Sequence, residues 1–171
     1  MKVEVREHNE QWHQMFKDES CRINGLLGDE LVDIHHIGST SVSGLKAKPI
    51  IDIMPIVKDI EKIDSFNKQM EEIGYECMGE FGIKGRRYFR KGLDNRTHQI
   101  HVFQLDNKKD INRHLAVRDY LRTHSEDAKM YGDLKENLAQ QFPNDIVSYA
   151  DGKETFVKEL EQKALIWYEI G

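Results

Sequence analysis

A glycine and serine pair followed by an acid on an apolar segment is the part of this sequence best suited to phosphate chemistry. Gly38 and Ser39 begin the small, flexible run 38–44, and Asp52 lies in the apolar segment 50–57. Glycine lets a backbone approach phosphate, serine can donate to it, and a carboxylate can hold a Mg²⁺ ion that bridges to phosphates. A tight turn with an aspartate held by backbone amides fits the same residues, because a lone Gly-Ser pair is a weak motif.

A basic segment offers further contacts to phosphate. Residues 84–91 include Arg86, Arg87 and Arg90, interleaved with Tyr88 and another aromatic residue, and contain no acid. Arginine binds phosphate oxygens through two parallel hydrogen bonds and stacks on rings, so one face of this strand could bind a triphosphate and a base. The alternative is an edge strand that its charge protects from aggregation.

Two helical pairs could close over the same phosphates. Arg118 and Arg122 are one helical turn apart, as are Tyr131 and Lys135, so each pair shares a helix face. Exposed helices are also charged simply because they face water. Phosphate binding and a solvated helix face both remain open for these residues.

Histidines suggest a second chemistry. His35, His36, His98 and His101 lie in or beside expected strands near Asp52. Imidazole suits zinc, manganese or iron, so a metal-dependent hydrolase using histidine and aspartate is an alternative. His98 and His101 are three residues apart and point to opposite faces of a strand, which argues against one shared ion. His101 could act as a general base, contact a substrate or be structural.

The surrounding pattern predicts strands alternating with helices. Asn9 can cap the first helix, and the segment 50–57 is apolar on both faces except at Asp52, which is typical of a strand covered on both sides. We expect Ser125 to cap a later helix. Strands are predicted over 3–6, 31–37, 50–57, 75–78, 86–90 and 99–104; helices are predicted over 10–27 and 60–73, from about 110, over 125–141, and around 156–167.

Length and composition indicate one globular domain. The chain has 171 residues, 39% apolar and 32% charged, and a formal net charge of -5, which argues against broad coating of nucleic acid. No apolar run is long enough for a signal peptide or a membrane span, so we expect a cytoplasmic protein without membrane partners. Cys21 and Cys77 form no CxxC motif, and the helical setting of Cys21 predicts a buried thiol rather than a disulfide.

The run 36–53, His-Ile-Gly-Ser-Thr-Ser-Val-Ser-Gly-Leu-Lys-Ala-Lys-Pro-Ile-Ile-Asp-Ile, resembles the signature of the GrpB family (UPF0157-type). That family belongs with the DNA polymerase beta-like nucleotidyltransferases. Segments 81–91, 96–102, 118–122 and 131–135 resemble its later blocks, so the resemblance covers essentially the whole chain.

The resemblance implies an α+β fold: a nucleotidyltransferase-like mixed or antiparallel sheet with flanking helices and a helical C-terminal part. It implies a single GrpB-like domain over 1–171, with an αβ core over about 1–108 and helices over about 109–171. The implied function is binding of a small-molecule nucleotide, a nucleoside triphosphate, with Mg²⁺ or Mn²⁺, for transfer to an acceptor that stays open. Asp52 and His101 would be catalytic and Asp52 the metal ligand; phosphate would be bound by Gly38, Ser39, Lys48, Arg86, Arg87, Arg90, Arg118, Arg122 and Lys135.

The sequence departs from the pattern of the wider superfamily at two positions where that pattern has acidic residues. That pattern has a second carboxylate two residues after the first, where Met54 stands, and a third on a later strand, where His101 stands. A thioether is a poor Mg²⁺ ligand, so two-metal transfer is in doubt. The alternatives are a catalytically degenerate module that binds a nucleotide or a partner, and the metal-dependent hydrolase.

Overall fold

The computed structural model describes residues 2–170 as five strands and five α-helices, with short 3₁₀ turns between them. The strands are β1 (Leu31–Ile37), β2 (Ile51–Val57), β3 (Tyr75–Cys77), β4 (Arg86–Lys91) and β5 (His98–Gln104). The α-helices are α1 (Gln11–Leu27), α2 (Asn67–Glu72), α3 (Lys108–Thr123), α4 (Ser125–Gln141) and α5 (Ile146–Ile170).

The strands form one mixed sheet in the order β1-β2-β5-β4-β3. β2 pairs antiparallel with β1 and parallel with β5, and the β5-β4 and β4-β3 pairs are antiparallel. In this register Asp52 lies opposite Gln99, at the start of β2 and beside the end of β1. The α+β architecture expected from the sequence is confirmed, and β2 is an interior strand as predicted.

The alternation of β2 divides its side chains between two cores. Ile51 and Ile53 point to the face covered by α1, where they pack with Trp12 and Ile23. Met54 points to the other face and packs with the apolar residues Ile37, Ile56, Phe103 and Ile111. Because residues two apart share a face of a strand, Asp52 lies on the same side as Met54, toward the C-terminal helices.

The C-terminal helices pack on the loop between β1 and β2. Val42 and Leu45 of this loop are buried with Ala116 and Leu121 of α3 and Leu160 of α5. This packing brings α4 and α5 over the segment that follows β1. Helix docking therefore completes the surroundings of Asp52 with residues distant in sequence.

Several local predictions were wrong. Segment 3–6 forms no strand; Arg6 makes one bridge to Ala47. The segment predicted as a helix over 60–73 is a 3₁₀ turn over Ile60–Phe66 followed by the short α2. Ser125 begins α4 without a side-chain capping bond, and Cys21 is exposed because it lies on the outer side of α1.

Asn9 behaves as predicted, since its side-chain oxygen accepts a hydrogen bond from the Gln11 amide at 2.9 Å. Across residues 2–170, the helices include none with the length and apolar character needed to cross a membrane.

Candidate anion-binding site

The turn after β1 meets Asp52 at very short range. Gly38 has a φ of 72°, in the left-handed region that favours glycine, and an added Cβ would lie 2.6 Å from Asp52 Oδ2. Ser39 begins the 3₁₀ turn Ser39–Ser41 that follows. Glycine is therefore required here both by the backbone conformation and by the space that the carboxylate occupies.

Ser39 and Asp52 face a common cavity of about 200 Å³. Its other walls come from distant elements: Lys48 from the loop before β2, Lys135 from α4 and Lys153 from α5. The structure thus brings together five of the residues predicted as site residues, namely Gly38, Ser39, Lys48, Asp52 and Lys135. It adds Lys153, which the sequence analysis did not select.

The three lysines are held where water solvates them poorly. Lys135 is 2% exposed, and burial, followed by the charges of Lys153 and Lys48, lowers its pKa well below the usual range of lysine. Burial, then Lys48, lowers the pKa of Lys153 to about 8, and burial lowers that of Lys48. In all three cases the carboxylate that opposes the shift is Asp52.

Tyrosine rings lie beneath these amines. Lys135 Nζ is 4.3 Å from the centroid of the Tyr131 ring, and the Nζ atoms of Lys48 and Lys153 are 5.2 and 5.1 Å from that of Tyr149. Such contacts stabilise a cation when it is desolvated. The Tyr149 hydroxyl is buried and has no hydrogen-bond partner among residues 2–170. The cavity therefore has aromatic rings that can stabilise its positive charge.

A row of polar side chains on neighbouring strands leads to Asp52; we call it the polar chain. His101 Nε2 lies 3.0 Å from Asp52 Oδ1, and His101 Nδ1 lies 3.3 Å from Arg86 NH1. A carboxylate only accepts and a guanidinium only donates, so a neutral imidazole protonated at Nε2 satisfies both contacts. His101 thus contacts Asp52 from the neighbouring strand and is not among the residues that line the cavity.

The donor set does not suit a pair of Mg²⁺ or Mn²⁺ ions. Asp52 is the one carboxylate of the cavity, and it faces three amines. Met54 is fully buried among apolar side chains, so it offers no oxygen and no path to the cavity. Within the described chain, no three His, Cys, Asp or Glu residues are grouped so that they could hold a metal ion.

The arginines of β4 are placed away from this cavity by other contacts. Arg86 is buried and donates to the backbone carbonyls of Glu80 and Phe81 at 3.2 and 2.9 Å. Arg87 pairs with Asp64 at 2.8 Å, and Arg90 lies 3.5 Å from a carboxylate oxygen of Glu76. Their guanidinium groups contact the protein itself, and we leave them out of the candidate site.

Arg118 and Arg122 donate hydrogen bonds to backbone carbonyls on either side of the turn. Arg118 donates to the His36 carbonyl at 3.3 Å, and Arg122 donates twice to the Ser41 carbonyl, at 3.1 and 2.8 Å. They share a helix face, as the spacing predicts, but that face contacts backbone rather than the cavity. Both are therefore positioning residues for the segment that carries Ser39.

The other histidines lie in separate surroundings. His35 pairs with Asp33 at 3.1 Å, whereas His98 lies 3.9 Å from Glu19 on the opposite face of the sheet. His36 is stacked on Phe16, and burial lowers its pKa to about 4. The four histidines considered as metal ligands are thus not gathered around one point.

Three residues that line the cavity were not predicted from the sequence, namely Gln99, Tyr149 and Lys153. A usable signal was present, because Tyr149 and Lys153 repeat on α5 the spacing of Tyr131 and Lys135 on α4. Residues four apart share a helix face, so each helix presents a tyrosine and lysine pair. The repeated pair indicates two helices that converge on one site.

The fold belongs to the nucleotidyltransferase-like class. Cid1 poly(U) polymerase, as an H336N mutant bound to MgATP, superposes with a TM-score of 0.53 and 12% identity over 78% of this chain and 44% of that one. A conserved protein GrpB from Enterococcus faecalis superposes far more closely, with a TM-score of 0.94 and 47% identity over 96% of this chain and 99% of that one.

This chain belongs to the GrpB family, since the family model described as GrpB protein matches residues 2–163. It is 46% identical to the UPF0157 protein YqkA of Bacillus subtilis over 97% of its own length, but it spans about half (48%) of that relative. It is 35% identical to the glutamate-rich protein GrpB of Alkalihalophilus pseudofirmus over 90% of both chains.

Proposed function

We propose that this protein binds the phosphate groups of a small-molecule nucleotide in the cavity that Ser39 and Asp52 share. The observation that carries the proposal is the convergence of Lys48, Lys135 and Lys153 on that cavity. Buried ammonium groups are costly unless an opposite charge accompanies them. Even with Lys135 uncharged, the ammonium groups of Lys48 and Lys153 outnumber the carboxylate of Asp52, and an oligophosphate would supply the missing negative charge.

The nucleoside part requires additional room. Pockets for small molecules usually have roughly 300–1,000 Å³, whereas this cavity has about 200 Å³. A second depression of about 320 Å³, lined by Arg6, Lys48 and Thr97 among others, shares Lys48 with it. We place the phosphates in the first and the nucleoside in the second. The fold likeness to Cid1 poly(U) polymerase, which has been solved with MgATP and with Mg 3′-dATP bound, supports nucleotides as the first ligands to try.

The lysine amines would supply the positive charge that divalent ions were expected to supply. A cavity with one carboxylate, held by His101, and three amines repels Mg²⁺ or Mn²⁺ more than it attracts them. The proposal is therefore a nucleotide-binding module whose phosphate affinity does not depend on a metal.

Calorimetric titration with the four nucleoside triphosphates, in a chelator and then in excess Mg²⁺, tests the proposal. We expect heat with at least one nucleotide in the chelator. Lys153→Met should weaken binding near neutral pH by about 10- to 100-fold, since a charge-assisted hydrogen bond contributes roughly 1.5–3 kcal/mol. Lys158→Met is the matched control, because Lys158 is an exposed lysine of the same helix that pairs with Glu154.

Asp52→Asn separates this proposal from a metal-dependent one. Without a metal the substitution removes a negative charge that faces the phosphates, so affinity in the chelator should hold or rise. If Asp52 held a metal bridged to the phosphates, affinity in Mg²⁺ would collapse instead. No heat with any nucleotide, with or without Mg²⁺, would overturn the proposal.

Nucleotidyl transfer is the second candidate function. Ser39 and Asp52 face one cavity, as that chemistry requires, and the fold is nucleotidyltransferase-like. This candidate predicts pyrophosphate release that depends on Mg²⁺ or Mn²⁺ and is lost in Asp52→Asn. Binding without any turnover favours the module.

A further inference from the structure

One contact in the cavity has a chemical meaning beyond phosphate binding. Lys135 Nζ lies 2.7 Å from Ser39 Oγ, which joins a serine on the turn after β1 to a lysine of α4. A distance between nitrogen and oxygen does not show which atom carries the shared hydrogen. The same contact therefore fits an amine that donates to the hydroxyl and a neutral amine that accepts from it. The protonation of Lys135 therefore decides what this pair can do.

The surroundings of Lys135 favour the neutral amine. Its side chain is almost completely buried, and the ammonium groups of Lys48 and Lys153 face the same cavity. Two groups act the other way: the carboxylate of Asp52 and the ring of Tyr131, whose centroid is 4.3 Å from Nζ. Burial is the largest of these influences, and the pKa of Lys135 falls well below that of an exposed lysine. A neutral amine beside a hydroxyl can accept its proton.

We propose that Ser39 and Lys135 form a nucleophilic pair, in which Lys135 accepts the hydroxyl proton while Ser39 Oγ attacks a phosphorus of a bound phosphoanhydride. The new bond joins Oγ to phosphorus, and the bond from that phosphorus to its bridging oxygen breaks. The departing phosphate keeps the electron pair, and its charge is stabilised by Lys48 and Lys153. The serine proton ends on Lys135, and the product is a phosphorylated or nucleotidylated serine.

The phosphoanhydride as substrate class rests on the proposed function; the nucleophilic pair rests on the contact between Ser39 and Lys135 and on the burial of Lys135. Serine activated by a lysine is a known variant of nucleophilic catalysis. General base assistance typically contributes about 10²–10⁴-fold in rate. A measurable rate difference on removing the amine is therefore expected.

A fluorophosphonate tests the pair without a nucleotide. Its phosphorus accepts a serine oxygen and releases fluoride, so the adduct can be assigned by peptide mass spectrometry. We expect modification of Ser39, at a rate that rises with pH as Lys135 loses its proton. Lys135→Met should slow it about 100-fold or more. Lys129→Met, on the exposed side of α4, should react like the unaltered protein.

A further variant reports on the amine itself. Lys153→Met removes a charge that lowers the pKa of Lys135, so the midpoint of the pH and rate curve should move to higher pH. A purely structural contact between Ser39 and Lys135 would not move it. Circular dichroism must first establish that each variant is folded.

The proposal is overturned if Ser39 stays unmodified, or if folded Lys135→Met reacts as fast as the unaltered protein. Nucleotide binding without labelling would refute the pair and leave the proposed function intact. Labelling at Ser39 that depends on Lys135, with no nucleotide bound, would support the pair and refute the proposed function.

Discussion

The imidazole of His101 donates to the carboxylate of Asp52, with Nε2 and Oδ1 3.0 Å apart. On its other side the same ring lies 3.3 Å from a nitrogen of the buried Arg86. The polar chain joins β4, β5 and β2 through one side chain from each. It fixes the orientation of Asp52 within the sheet, before any ligand arrives.

Replacing His101 by phenylalanine should destabilise the fold, because the buried guanidinium of Arg86 would lose an acceptor. We expect the free energy of unfolding to fall by about 1–3 kcal/mol in urea titrations. His35→Phe is the control, since its ring pairs with the exposed Asp33, and a change within about 0.5 kcal/mol is expected there. Equal effects of the two substitutions would contradict this role of His101.

Gly38→Ala should be more damaging than Gly44→Ala. Both glycines have left-handed φ values, 72° and 82°, so each substitution introduces backbone strain of about 1–3 kcal/mol. An added Cβ meets Asp52 at position 38, whereas at position 44 nothing lies within 4 Å. Denaturant titration should give the larger loss for Gly38→Ala. Nucleotide affinity should change for that variant alone, and a matching loss at Gly44 would refute the close approach.

Met54→Asp should unfold the protein rather than restore a metal site. Met54 is fully buried among Ile37, Ile56 and Phe103, so a carboxylate at this position would lose its hydration in apolar surroundings. We expect a loss of more than about 3 kcal/mol, against under about 1.5 kcal/mol for Met54→Leu. Thermal melts of both variants decide the point. A stable Met54→Asp protein that binds Mn²⁺ would show that the position is open to the cavity.

Phosphate affinity should fall as the pH rises through about 8. Burial lowers the pKa of Lys153 to about 8, so this amine is charged below that pH and neutral above it. An anion is bound most tightly while the amine is charged. Titrations with inorganic tripolyphosphate between pH 7 and 9 should show a steeper loss for the unaltered protein than for Lys153→Met. Protonation of the ligand affects both proteins equally, so parallel curves would count against Lys153.

The meeting of the turn with Asp52 was predictable from the sequence, because each can be recognised from its neighbouring residues and the two are close along the chain. A glycine before a serine indicates a turn, and an apolar segment that contains one acid indicates a strand with a special position. The turn and Asp52 flank adjacent strands, so their meeting requires only that β1 and β2 pair, as they do. The family resemblance pointed to the same residues.

Lys48 and Lys135 were predicted as phosphate ligands, but the meeting of the lysines with Asp52 could not be derived from local sequence. Lys135 and Lys153 reach Asp52 only because α4 and α5 dock on the loop after β1, which is a tertiary event. The arginines illustrate the opposite case. Their sequence pattern suits phosphate, yet Arg86 and Arg122 satisfy backbone carbonyls, and hydrogen bonds of that kind leave no signature in residue type or spacing.

The binding of phosphate by the cavity can be observed in crystals soaked with a non-hydrolysable nucleoside triphosphate and Mn²⁺, with anomalous data collected to locate manganese. We expect phosphate oxygens within hydrogen-bonding distance of Lys135 Nζ and Ser39 Oγ, and no manganese peak bound by Asp52. Phosphates bound elsewhere, with the cavity empty at saturating ligand, or a manganese ion held by Asp52 would contradict it.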